Sequence, residues 1–104
     1  MTDSYVDMRA KAGCPLTTPD ELSTLANSEF TLIRCKVAMN YSTSCDVLRK
    51  LAEDKTWIIR LAVVCNKHTP IDVISKLSDD EDERVCERAI NELARRRKYS
   101  EVKV

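Results

Sequence analysis

Residues 43–66 read TSCDVLRKLAEDKTWIIRLAVVCN, and this stretch decides the architecture because it recurs. Shifting the chain by 26 residues lays it on itself without gaps. Thr17, Thr43 and Thr69 coincide, as do Asp20, Asp46 and Asp72. Leu22, Leu48 and Ile74 align, then Leu25, Leu51 and Leu77, then Ala26, Ala52 and Ser78. Further on, Ile33, Ile59 and Val85 fall together, then Val37, Val63 and Ala89, and Asn40 meets Asn66. A fixed period of this size marks a stacked-repeat protein, in which each unit buries its apolar side only against its neighbours.

Each unit reads as two helices. A Thr followed three residues later by Asp predicts a helix start, with the hydroxyl capping a free N–H and the carboxylate at the positive end of the dipole. Pro19 and Pro70 fall in the first turn, where no N–H is missed. Helix A is then short, over 18–26, 44–52 and 70–78, with apolar residues at i, i+3. Helix B follows a polar break and runs over 29–39, 55–65 and 81–98. In the middle unit helix B is apolar all round apart from Arg60, which predicts neighbours all round. The last helix B is polar on most faces and reads as a terminal cap. The expected architecture is all-α: one domain, 1–104, with a half-unit at 5–12, units at 14–39, 40–65 and 66–92, and a tail at 99–104.

These residues resemble the HEAT-like repeats, and most closely the leucine-rich repeat variant family. Its unit looks like N-P-x-T-P-x-x-x-L-x-x-L-A, a break, then V-R-x-A-V-A-x-N. Asn40, Thr43, Leu48, Leu51, Ala52, Ile59-Arg60, Ala62-Val63 and Asn66 match it, as do Asn66-Lys67-His68-Thr69-Pro70 with Ile74, Leu77 and Val85. Pro15, Thr17, Leu22, Leu25, Ile33-Arg34 and Val37 match in the first unit, and Cys86 stands where the family has Arg. The resemblance implies a right-handed α-solenoid in which helix A is a 3₁₀ turn or full α. Some members carry a four-cysteine iron–sulfur module ahead of the repeats. This chain has no such cluster, so no cofactor is carried over.

Composition narrows the function. The 104 residues hold 17 basic and 17 acidic side chains, balanced in each half, so there is no global field to hold phosphates or an anionic membrane. One glycine, Gly13, cannot build a phosphate-cradling loop. No apolar run reaches the ~18 residues of a membrane span, and Met1–Ser4 lacks the basic head of a secretory signal. The five cysteines, Cys14, Cys35, Cys45, Cys65 and Cys86, contain no C-x-x-C pair. They read as thiols in a reducing cytoplasm, mostly packed as small hydrophobes, and not as a metal site.

Single residues add little chemistry. His68 lies in a turn, without a positioned nucleophile or base. Cys45 begins a helix A, but nothing nearby in sequence would activate it. The acids Asp79–Glu83 lack the alternation and glycine of a calcium loop, and sit at a helix start where the dipole favours them. Arg95–Lys98 reads as the opposite end of that helix. Arg34 and Arg60 each find an acid 20 residues on, which predicts a structural ladder of Arg34 with Asp54 and Arg60 with Asp80 between units. This is similar to the Asp–Arg ladder of HEAT proteins.

The residues therefore point away from an enzyme. Lys36, Lys67, His68, Arg84 and Arg88 are the candidate contact residues, on the helix-B face or the turns beside it. Two readings stay open. One is a scaffold for another protein, a small regulatory or inhibitory accessory. The other is a nucleic-acid-binding module that uses the basic C-terminal helix and groove.

Overall fold

The computed structural model describes the backbone of residues 4–102 and the side chains of residues 4–98. Seven α-helices follow one another: α1 (Tyr5–Gly13), α2 (Pro19–Leu25), α3 (Thr31–Met39), α4 (Cys45–Leu51), α5 (Trp57–Cys65), α6 (Ile71–Leu77) and α7 (Glu83–Val102). No strand occurs among the described residues. The 26-residue shift holds to the residue: α1, α3, α5 and α7 begin at 5, 31, 57 and 83, and α2, α4 and α6 at 19, 45 and 71.

Alternate helices pack side by side, α1 on α3, α3 on α5 and α5 on α7, while α2, α4 and α6 form a second row. The result is a small repeat arrangement with extents of 51 × 31 × 18 Å. Leu22, Leu48 and Ile74 of the short row and Ile33, Ile59 and Val85 of the long row all lie fully buried in the interior. Each such side chain stabilises by about 1.5–3 kcal/mol on burial.

Several local expectations change. The short helices are α-helical over seven residues each and not 3₁₀. Their N-caps are Thr18 and Ser44, whose hydroxyls accept from Glu21 N–H and Val47 N–H, and then Pro70, which has no side-chain cap. The repeated threonines sit one residue earlier and point the other way. Thr17, Thr43 and Thr69 donate to the carbonyls of Lys11, Val37 and Val63, each at 2.6 Å. A hydroxyl donates as readily as it accepts, and these three add a second donor to carbonyls that already accept the N–H of the helix C-cap residues Cys14, Asn40 and Asn66.

The long-row helices start two residues late, because Ser28, Asp54 and Asp80 accept the N–H groups of Phe30, Thr56 and Asp82 in a turn before the helix. At the other end α7 runs on to Val102, so no tail begins at 99, and the last two residues of the expected tail lie outside the described residues. Arg95–Lys98 is therefore not the last turn of α7.

Burial corrects two more readings. None of the five cysteines is fully buried; Cys45 and Cys65 are exposed, and none forms a disulfide. Helix α5 does not have neighbours all round, since Ile58 is 42% exposed.

Candidate functional site

The chemistry-bearing residues divide into those that hold the units together and those that face outward. Asn40 and Asn66 do the first. Asn66 Nδ2 donates to the carbonyls of Ala38 (2.8 Å) and Asn40 (3.1 Å), one unit back. Asn40 Nδ2 does the same to Ala12 (2.9 Å) and Cys14 (2.8 Å). Each side-chain oxygen accepts the N–H two residues on, at Ser42 and His68.

The next unit would need a donor at position 92, and Glu92 accepts only. Arg96, one turn further along α7, supplies it. Its Nη2 donates to the Asn66 carbonyl at 3.2 Å, the place Asn66 takes on Asn40, and its Nη1 to the Thr69 carbonyl at 2.6 Å. Glu92 holds Arg96 in place through Nε at 2.8 Å and also pairs with Arg95 at 2.6 Å. These two guanidinium groups, Arg95 first, pull the Glu92 carboxyl down to about 2.

The arginines of the long row lie between units. Arg34 Nε donates to Asp54 Oδ2 at 2.9 Å and Nη1 to the Ser28 carbonyl at 2.9 Å. Arg60 repeats this on Asp80 at 2.8 Å and the Asp54 carbonyl at 2.7 Å. The hydrogen bond that Arg60 donates to Asp80 raises the Arg60 pKa above its ordinary value. In the third unit Cys86 replaces the arginine, and its thiol approaches the Ser78 carbonyl at 3.1 Å. Two open grooves lie over these pairs, one of about 550 Å³ lined by Glu53, Asp54, Lys55, Arg60, Asp80 and Glu81. The Arg60 floor is already paired, and Lys55 at the exposed rim stands among the carboxylates of Glu53, Asp54, Asp80 and Glu81, so the lining is acidic overall and does not suit an anionic ligand.

The five candidate contact residues do not converge. Lys67 and His68 share a turn that faces Tyr41 in the equivalent turn of the preceding unit: the His68 ring stands edge-on to Tyr41 at 5.5 Å, and Lys67 Nζ lies 6.0 Å from the Tyr41 centroid. Arg84 lies at the far end of the face, stacked 3.4 Å from the centre of the Trp57 ring and paired with Asp82 at 2.9 Å. That pairing lowers the Asp82 carboxyl to about 2, with the Arg84 side chain as the main cause. Lys36 lies against the end of α1, beside Gly13. Arg88 is exposed on α7.

What the candidate list missed is apolar. Val6, Leu32 and Ile58 occupy one register position on successive helices and are 61, 44 and 42% exposed. Met39 on α3 is 56% exposed. Leu61, Cys35 and Cys65 lie on the same outward side by helical spacing and are half-buried or exposed. Burial raises the Cys35 thiol pKa, against a smaller lowering by Lys36. Val6, Leu32 and Ile58 share one position of the 26-residue period, but a period does not report which of its apolar positions stay exposed.

Among the described residues no three His, Cys, Asp or Glu side chains cluster so as to hold a metal ion, and no helix is long and apolar enough to cross a membrane. Compared with family models, curated proteins and solved structures, the chain matches none.

Proposed function

We propose that this chain is a non-enzymatic helical-repeat scaffold of HEAT-like, right-handed type, close in pattern to the leucine-rich repeat variants, that acts by binding another protein. In this reading it is a small accessory that regulates or inhibits its partner. The carrying observation is the open apolar row Val6, Leu32 and Ile58 at one position of successive helices. Soluble folds rarely leave contiguous apolar surface uncovered without a partner for it. Five thiols outside disulfides suit a reducing compartment, the cytoplasm.

The nucleic-acid alternative is weakened by how its cations are spent. Arg84, Arg95 and Arg96 are each paired with a carboxylate, and Arg34 and Arg60 lie between units. A duplex groove needs a continuous unpaired stripe, which these positions do not supply. The test is a pull-down with mass spectrometry at low and moderate salt, using Ile58→Glu as the comparison. Capture that survives moderate salt and is lost in the variant supports the scaffold reading. Duplex binding tighter than about 1 µM at physiological salt, steeply weakened by added salt, overturns it.

A further inference from the structure

Inside the array, one stripe of each long-row helix is covered by the unit that follows. Arg34 and Arg60 mark it, since each bonds an acid of the next unit. Ala38 and Val64, one turn on, are 0 and 1% exposed. The third unit places Cys86 and Ile90 at these positions, and Ile90 is 51% exposed. Along α7 the stripe begins at the exposed Glu83 and continues through the half-buried Leu93 to the exposed Arg97. Steps of three and four residues keep all five on one seam. On α6, Ile71 and Ser75 hold the positions from which Cys45 and Arg49 reach the next unit, and neither is charged.

The seam is apolar at its centre and charged at its ends. Glu83 and Glu87 stand at the start, behind the exposed Asp79 and Glu81, and Arg97 and Lys98 at the far end. None of these six has an ion pair among the described residues. The other nearby cations point elsewhere. Arg84 stacks on Trp57 of the preceding unit and pairs with Asp82, and Glu92 holds Arg95 and Arg96. Arg88 lies on the opposite side of α7 by helical spacing. Lys76 has the position from which Lys50 bonds Asn27 one unit back.

Such a seam is its own complement when run antiparallel. Glu83 and Arg97 both lie seven residues from Ile90. A half-turn about an axis crossing α7 at Ile90 therefore sets Glu83 of each copy against Arg97 of the other, and Ile90 against itself. A parallel pairing would set Glu83 on Glu83 and Arg97 on Arg97. A partner helix of uniform charge would match one end and oppose the other. We propose that a second copy of this chain covers this end of the array, with α7 packed antiparallel on α7 and Ile90 near the two-fold axis. The pairing goes beyond the scaffold reading and leaves Val6, Leu32 and Ile58 uncovered. About 22 Å of α7 and two rows about 10 Å apart give roughly 400 Å² per copy, half of the ~800 Å² of a standard interface. The dimer is accordingly weak and transient.

Sedimentation equilibrium from about 10 to about 1,000 µM, with reductant present, follows the mass by mass action. The expected result is a rise from 11.9 kDa towards twice that value and no further. Ile90→Glu abolishes the rise and Ile58→Glu leaves it in place, while far-UV circular dichroism stays unchanged in both. Glu83→Arg or Arg97→Glu alone weakens association about tenfold, and the two together in one chain restore it. Should Ile90→Glu fail to fold, this charge exchange decides alone. A chain that stays at 11.9 kDa throughout, growth past a dimer, or single reversals that the double variant does not rescue overturns the antiparallel pair. A rise that Ile58→Glu abolishes and Ile90→Glu does not places the second copy on the long-row face and overturns it too. Protein capture lost in Ile58→Glu but kept in Ile90→Glu tests the scaffold reading separately.

Discussion

Truncating Asn66 to alanine tests the hydrogen-bonded clamp between units. The side chain is 1% exposed. Its Nδ2 satisfies the Ala38 carbonyl and adds a second donor to the Asn40 carbonyl, which also accepts the Thr43 N–H, and its Oδ1 accepts the His68 N–H at 2.8 Å. Asn66→Ala removes all three bonds. A typical bond contributes about 1 kcal/mol net, and a carbonyl left buried without a partner costs ~1–3 kcal/mol. The His68 N–H lies nearer solvent and regains water at small cost. The sum is roughly 3–4 kcal/mol, set against a total stability of about 5–15 kcal/mol for a domain. Urea unfolding followed by circular dichroism at 222 nm measures it. With a slope of ~1–3 kcal/mol per molar, the midpoint falls by at least about 1 M. Asn27→Ala is the control: its amide is exposed, donates to the Ser23 carbonyl 3.4 Å away and accepts from the solvent-exposed Lys50 ammonium, so its loss costs under about 0.5 kcal/mol. Asn66→Asp keeps the shape but turns a double donor into an acceptor facing two carbonyls, and costs at least as much as alanine at neutral pH. A loss below about 1 kcal/mol for Asn66→Ala, with an unchanged slope, refutes the clamp.

Three further outcomes follow from the same geometry. Thr43→Ala removes one of two donors from the buried Val37 carbonyl, leaving the Asn40 N–H, and lowers stability by about 1 kcal/mol in the same assay, whereas Thr43→Ser retains most of it. Arg60→Met is tolerated better than Asp80→Leu in thermal melts, because the leucine variant strands a largely buried guanidinium and also removes the acceptor of the Asp82 N–H. Glu92 is held at about 2 against an ordinary 4.5, so its contribution is full above the ordinary value and is lost as pH falls from there towards 2. Stability measured across that window falls less steeply in Glu92→Gln than in the unaltered chain.

The period of 26 residues is readable from the chain alone, because every unit must bury the same side against the same neighbours. It marks the seven helices and their order. It also places an acid 20 residues after Arg34 and after Arg60, where the structure has Asp54 and Asp80. What a period cannot report is the direction in which a polar group is used. Thr43 has the local signature of a cap, yet the turn aims its hydroxyl back at the Val37 carbonyl, whose second lone pair is within reach beside the Asn40 N–H. Nor does the alignment reveal that Arg96 stands in for the missing donor at position 92; that substitution works only because a long side chain one turn on reaches the same carbonyl. Exposure is likewise a tertiary outcome. Ile58 and Ile59 are neighbours of one chemical type, but Ile59 faces the short row and is fully buried, while Ile58 stays open because no element of the described chain packs over it. The sequence thus determines which helices form and stack, through local periodicity; three-dimensional packing decides which polar groups clamp the units and which apolar ones are left for a partner.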